Sequence, residues 1–272
     1  MAVVGHGFVG TAVSNGFDTV GVNIKIIDPN VGTKVEDLYG DDIEVAFVCV
    51  PTPMSANGRI DDSIVLDVTQ KLIDNTDAIV VLKSTVTPEI VDSLAQLSPE
   101  RFVYNPEFLT EANANEDFIN AEFNVFGGHL KPCADVAAIY SAYSKMLDPQ
   151  NVFVSAKEAS FVKYTINTFL STKVTFFNQL KELTDAHGCN FTNITSAVSL
   201  DKRIGNSHMK VPGPDGRRGF GGACFPKDTN AMNYFAEGQF DLLQKVLDIN
   251  NQYRLQYDLD EREKEQNVKF GE

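Results

Sequence analysis

Gly5-His6-Gly7-Phe8-Val9-Gly10 decides the fold, because it follows the apolar run Met1-Ala2-Val3-Val4 directly and precedes a stretch with helical patterning. In a strand–turn–helix unit, the first glycine of G-x-G-x-x-G makes the tight turn. The second lets a pyrophosphate approach the backbone, and the third lets helix and strand pack closely. The helix N-terminus then turns its open N–H groups toward the phosphates. A hexapeptide alone is a weak signal, so the next element matters. Residues 22–27 read as a second strand ending in Asp28, about 20 residues past the glycines. An acid there accepts hydrogen bonds from the adenosine ribose hydroxyls and favours NAD over NADP. The expected cofactor contacts are Gly5, Gly7, Phe8, Val9, Gly10 and Asp28, with His6 as loop filler.

Further short apolar runs follow at 45–50, 79–82, 102–104, 125–126 and 152–154, as strands buried on both faces should. Helical stretches at 63–73, 89–97 and 134–146 alternate with them. This is an α/β pattern, a doubly wound parallel sheet of the Rossmann type, spanning residues 1–154. Ligands bind at the carboxyl ends of such strands. Three loops are placed there: Val50-Pro51-Thr52-Pro53, Lys83-Ser84-Thr85, and Asn105-Pro106-Glu107-Phe108-Leu109-Thr110-Glu111. Each taken singly is equally a plain connecting loop.

The character changes from Glu158. Residues 158–187 contain neither Pro nor Gly, which predicts one long helix opening an all-α domain over 155–257. Its apolar stripe is wide enough to need burial on more than one side, as a domain spine that also meets a second subunit. Lys163 and Asn167 fall on one face of it, where a lysine and an amide can bind an oxyanion or sit on a solvated face. Residues 190–210 read as helix, 210–222 as a loop rich in Gly, Pro and Arg, 230–256 as helix, and 258–272 as a charged tail that frays. Between them stands Gly219-Phe220-Gly221-Gly222-Ala223-Cys224-Phe225-Pro226-Lys227-Asp228. Three glycines in four residues admit close backbone approach. A helix beginning near Pro226 would put Cys224 at its positive end, where a thiolate is favoured, with Asp228 one turn away. A buried structural cysteine in a tight turn has the same spelling, and the decapeptide leaves both readings open.

Composition narrows the classes. With 272 residues, two domains are the prior, and a formal net charge of −14 argues against nucleic acid and acidic membrane surfaces as partners. Cys49, Cys133, Cys189 and Cys224 are scattered without paired metal spacing, which suits a reducing cytosol and predicts no metal site. No signal peptide and no run of membrane-spanning length is read, so the expectation is a soluble cytoplasmic protein.

With these pieces together the chain resembles the UDP-glucose/GDP-mannose dehydrogenase family from Met1 to about Arg254. The motifs are G-x-G-x-x-G, Val50-Pro51-Thr52-Pro53, Lys83-Ser84-Thr85-Val86, Asn105–Leu109, the Lys163/Asn167 pair, and the stretch ending Cys224-Phe225-Pro226-Lys227-Asp228. The spelling around Cys224 is more similar to members acting on UDP-glucose than to those acting on GDP-mannose or UDP-N-acetylhexosamines. The resemblance implies oxidation of C6 of a nucleotide sugar to the carboxylate, with two NAD and one water, through a thiohemiacetal and a thioester on Cys224. It implies that Lys163 and Asn167 stabilise the oxyanion, that Asp228 and Thr85 move protons, and that Glu111 serves thioester hydrolysis. Val50, Pro51, Thr52, Ser84, Thr85 and Lys227 join the cofactor contacts. Glu107, Phe108, Leu109, Lys210, Phe220, Gly221 and Gly222 join the substrate contacts, and Arg203 reaches the site of a second subunit in a homodimer. Surface polysaccharide synthesis is the pathway such sugar acids serve.

Two departures accompany it. The interval from Asp28 to Val45 is short, so a helix there is expected to be trimmed. The family's third domain, which grips the nucleotide base, is expected to be absent beyond the charged tail. The other readings are a weakly active or non-catalytic NAD-binding homologue, a dehydrogenase of another nucleotide sugar (GDP-mannose or a UDP-N-acetylhexosamine), and a two-electron hydroxyacid dehydrogenase, which shares the plan but needs no cysteine.

Overall fold

Runs of Val, Ile and Phe too short for a buried helix pair as strands, and the segments between them cover the sheet. The computed structural model describes residues 1–271, apart from the side chain of Glu111. The chain divides into two units: Met1–Thr52 with Asp61–Lys163, and Pro53–Ile60 with Tyr164–Glu272.

The first unit runs β1 (Ala2–Val4), α1 (Phe8–Phe17), β2 (Lys25–Ile27), β3 (Val45–Val48), α2 (Ser63–Asn75), β4 (Ile79–Leu82), α3 (Pro88–Leu97), β5 (Phe102–Tyr104), α4 (Ala114–Ile119), β6 (Phe123–Gly128), α5 (Leu130–Tyr143) and β7 (Gln150–Val154). The seven strands lie in the order β2-β1-β3-β4-β5-β6-β7, with the order reversing at β1. This is the expected doubly wound sheet with one correction. β6 runs antiparallel to β5, because the chain leaving β5 returns along the same edge, and β7 then pairs parallel to β6. The interval after Asp28 holds only two 3₁₀ turns, Pro29–Val31 and Val35–Leu38, where a full helix was expected to be trimmed.

Register positions the candidate residues. Val4 pairs with Ile27 and Val48, Val48 with Leu82, and Leu82 with Tyr104. The next residue on each strand is therefore in one row at the carboxyl edge: Asp28, Gly5, Cys49, Lys83 and Asn105. Below that row a core cluster centred on Phe17, Phe47, Phe118, Phe126 and Tyr140 packs between sheet and helices. At Gly16 a Cβ would come within 2.1 Å of the Phe118 ring, so the glycine sets how closely α1 and α4 approach.

α6 (Ala156–Ala186) begins in the first unit and continues through the second, which adds α7 (Phe191–Val198), α8 (Phe225–Phe235), α9 (Asp241–Arg254) and α10 (Glu261–Glu265). Three expectations are corrected. Helix after residue 190 stops at Val198, and the chain then turns, with the Asp201 carboxylate accepting the Arg203 N–H and Gly205 at φ +70°. The stretch 230–256 is two helices, interrupted where Glu237 and Gly238 take φ +46° and +80°. The charged tail is also ordered: Asp260 and Glu263 form a reciprocal cap on α10, and Glu263 and Val268 are buried. Among the described residues no helix is long and apolar enough to cross a membrane.

Candidate functional site

The β1–α1 turn is built for close approach. Gly5 sits at φ +85°, and a Cβ on it would lie 2.6 Å from the Cys49 carbonyl oxygen; one on Gly10 would lie 2.0 Å from the Gly5 oxygen. Gly7 is different. It is exposed, a Cβ on it would meet nothing within 4 Å, and as N-cap of α1 it offers no side-chain cap. The first turn, Phe8 and Val9, thus presents its amides outward, as a phosphate requires. Asp28 lies at the end of β2, accepting the His6 N–H at 2.7 Å and the Asn30 N–H at 2.8 Å. Burial works against its ionisation, and those amides more than offset it, holding the carboxyl below the usual carboxylate range. The cradle and the acid fit a dinucleotide.

Ser84 ties the ends of β3 and β4 together by donating to the Val50 carbonyl at 2.6 Å. Thr52 and Thr85 are buried beside this clip, and Pro51 is exposed. Lys83, read from the sequence only as part of the Lys83-Ser84-Thr85 loop, is buried and donates to Asn105 Oδ1 at 2.8 Å, which also accepts the Tyr140 hydroxyl at 2.8 Å. Asn105 Nδ2 in turn donates to Asn124 Oδ1 and the Val125 carbonyl, so every position of that amide is used. Burial lowers the Lys83 ammonium to about 8, against the opposing pull of Cys49 and Glu107, and burial pushes the Cys49 thiol up to about 12.

Two residues past Asn105, Glu107 meets α6. Lys163 donates to its carbonyl oxygen at 2.7 Å and to its carboxylate at 2.8 Å, and both side chains are buried. The other carboxylate oxygen accepts the Leu109 N–H at 2.7 Å, closing the loop, and the Phe108 ring centre lies 5.6 Å from the Lys163 ammonium. Glu111 falls outside the residues whose side chains are described.

In the second unit, Cys224 is the N-cap residue of α8 and half-buried, with Pro226 in the first turn. The Asp228 N–H closes that turn on the Cys224 carbonyl at 2.8 Å. The Asp228 carboxylate is buried, with one oxygen accepting Asn167 Nδ2 at 2.6 Å and the other Lys227 Nζ at 2.5 Å. Thr229 adds a hydrogen bond to Ser171 at 3.0 Å, pinning the start of α8 along α6. Lys163 and Asn167 are one turn apart on α6, and each is engaged by a carboxylate. Phe220, expected to line the sugar, instead packs its ring with Val246 and Leu247, because the backbone turn at Gly219 directs it into that core. Gly221 and Gly222 are half-buried, Lys210 is exposed, and Arg203 is exposed and paired with Asp201. Asn178, Asn250, Arg254 and Glu263 were missed; the glycines they press against were the only sequence signal for them. Among the described residues no group of three or more His, Cys, Asp or Glu side chains is placed to hold a metal.

The sequence model for the UDP-glucose/GDP-mannose dehydrogenase family, NAD binding domain, matches residues 39–146, and that for the same family's central domain matches 157–252. A UDP-glucose 6-dehydrogenase of Rickettsia bellii is 32% identical over 234 residues, covering 80% of this chain and 52% of the relative. The UDP-glucose 6-dehydrogenase TuaD of Bacillus subtilis is 28% identical over 300 residues, covering 94% of this chain and 63% of the relative. Among solved structures, a UDP-glucose dehydrogenase from Pyrobaculum islandicum superposes with a TM-score of 0.78 at 27% identity, over 92% of this chain and 67% of that one. The chain spans about half the length of the Rickettsia relatives it matches.

Two outcomes follow from the geometry. Gly7→Val should leave thermal stability within about 2 °C of wild type, since its Cβ meets nothing, yet weaken NAD binding at least about tenfold by filling the phosphate space. Calorimetric NAD titration with a melting curve tests this; equal affinity would show that the cofactor does not pass over Gly7. The second concerns Lys83. Its pKa in the fold, about 8, lies below the usual 10.5, so between those values the unfolded chain binds the extra proton and stability rises with pH. Burial raises the Cys49 thiol to about 12 and the Cys133 thiol to about 11, an opposite slope that offsets the gain above pH 9. Lys83→Met should therefore abolish a stability gain that wild type shows from pH 8 to 9. Urea midpoints across that window decide it, and parallel profiles would refute it.

Proposed function

The chain belongs to the UDP-glucose/GDP-mannose dehydrogenase family, and from that premise we propose that it oxidises C6 of a nucleotide sugar, UDP-glucose, to the carboxylate. The observation that carries this reading is the Cys224 thiol, half-buried at the N-terminal end of α8 and preceded by a glycine loop. The helix dipole and open first-turn amides favour its thiolate. NAD, when bound, supplies the hydride acceptor for both oxidation steps.

In the first step the alcohol proton leaves through Thr85 and a held water as C6 becomes an aldehyde. The Cys224 sulfur then bonds to that carbon, giving a thiohemiacetal. Loss of a second hydride and the hydroxyl proton converts it to a thioester. Water, with Glu111 as base, adds to the thioester carbon, the carbon–sulfur bond breaks, and the thiol regains a proton. The sum is two hydrides transferred and one water consumed per sugar.

Lys163 and Asn167 supply the oxyanion donors, each of a kind that can contribute about 3 kcal/mol in the transition state. Glu107 holds the Lys163 ammonium, and Asp228 holds the Asn167 amide alongside Lys227. Phe108, Leu109, Gly221, Gly222 and Lys210 are assigned to the sugar nucleotide. Support for UDP-glucose comes from relatives of that name at 32% identity.

A second copy of the chain completes the reading. Phe169, Phe176 and Leu183 recur every seventh residue on α6 and are 66%, 59% and 57% exposed. That spacing puts them on one face, a stripe suited to another helix of the same sequence. Arg203, exposed beyond it, is assigned to the site of that second copy.

Two measurements test the proposal. NADH formed per UDP-glucose consumed should be 2, and Cys224→Ser should abolish acid formation; a ratio of 1, or unchanged turnover in the variant, would remove the thioester route. Phe176→Glu should shift the wild-type dimer to monomer in analytical ultracentrifugation, and a variant sedimenting as wild type would exclude the α6 stripe as the interface.

A further inference from the structure

The glycine loop before Cys224 is held by side chains rather than by regular structure. The Gly219 N–H donates to Asn178 on α6 at 3.1 Å. Asn250 on α9 takes the Phe220 N–H at 2.7 Å and donates back to the Phe220 carbonyl at 3.0 Å. The Gly222 N–H donates to Glu263 on α10 at 3.1 Å. Three of the four backbone amides before Ala223 thus end on side chains from three different helices.

The Glu263 contact stands out because it is charged and buried. Its side chain is 0% exposed; the oxygen that receives Gly222 also receives Arg254 Nη2 at 2.5 Å, and the other accepts the Asp260 N–H at 2.9 Å, with Arg217 at 3.6 Å. Arg254 extends the network to Asp215 at 2.6 Å. The pair lies so close to the loop that a Cβ on Gly221 would fall 2.2 Å from the Arg254 guanidinium and 2.4 Å from the Glu263 carboxylate. Gly221 is therefore required by the ion pair, not only by a ligand. Val268 is buried, and the Met54 N–H donates to the Gln266 carbonyl at 2.8 Å, so the C-terminal end of α10 is anchored. Arg254 and Glu263 also lie beyond residue 252, where the match to the central-domain model ends.

We propose that Glu263 is a positioning residue for the Cys224 nucleophile, acting through the Gly222 amide. The segment after α9 is then a working support of the catalytic loop. A buried, doubly paired carboxylate tolerates little displacement, because each partner left unmatched is costly in a low-dielectric interior. Two residues on, this stiffness keeps Cys224 at the N-cap of α8, where the amides favour thiolate and the sulfur has a fixed line of attack. Misplacing a reacting atom by about 1 Å can cost about a hundredfold in rate. This inference rests on Cys224 being the nucleophile.

The test uses the full chain with Glu263→Gln, which keeps the shape and removes the charge. Iodoacetamide labelling at pH 7 is followed by peptide mass spectrometry, with the exposed Cys189 as internal reference. The Cys224:Cys189 rate ratio should fall at least about threefold as Cys224 leaves the N-cap. For UDP-glucose oxidation, kcat should fall at least about tenfold with the KM for NAD within about twofold. An unchanged or higher labelling ratio overturns the inference. Should wild type oxidise no nucleotide sugar at all, the proposed function fails, and the labelling ratio still decides the clamp. If Glu263→Gln does not fold, Glu263→Asp keeps the charge and draws the carboxylate one methylene away from Gly222, and the same ratio is read.

Discussion

Asp228 is a carboxylate with almost no contact with water, and a buried charge persists only if partners replace its solvation. It finds them in Asn167 on α6 and Lys227 on its own helix. Removing one partner of such a group typically costs about 3–5 kcal/mol, so the three residues behave as one unit. Because Asp228 is in the first turn of α8, satisfying it fixes where that helix begins along α6. The start of α8 is Cys224. The position of the thiol is thus a consequence of electrostatics one turn further on, reinforced by the Thr229–Ser171 hydrogen bond.

The same constraint recurs in the first unit. Lys163 is buried on α6 and is matched by the Glu107 carboxylate and carbonyl, which shapes the loop after β5. Behind that loop, Lys83 and Tyr140 converge on Asn105, the residue at which the loop leaves the sheet. Strand register places Asn105 and Lys83 in the row that also holds Gly5 and Asp28. The cofactor cradle and the Glu107–Lys163 pair therefore share one rigid edge, and polar groups buried at that edge have few alternative arrangements.

Legibility in the sequence tracked the range of the interaction. Gly5, Gly10 and Asp28 were readable because their roles depend on chain neighbours and on a fixed strand–turn–helix spacing. The sheet was readable from apolar runs, but the direction of β6 was not: an isolated strand carries no mark of which way its partner runs. Helix after Val198 was overread, since apolar residues continue there while the chain passes through an Asx turn at Asp201 and a left-handed glycine at Gly205. The tail was misread for a related reason. Asp, Glu, Arg and Lys in a row signal solvent, and only a partner elsewhere in the chain, here Arg254 for Glu263, makes burial of such a residue possible.

What the amino-acid sequence determined by itself was the class of fold, the glycine turn after β1 and the long α6 helix, and it named Cys224, Lys163, Asn167 and Asp228 as candidates. Periodicity and motif spacing are local quantities, and local quantities are written in the order of residues. Tertiary structure alone decided which carboxylate holds which donor, that the Phe220 ring turns into a core, and that Glu263 grips the loop before the thiol. Those facts depend on where remote backbone segments meet. Desolvation acts on the meeting point, so a residue's charge, exposure and freedom are set there and not by its neighbours in the chain.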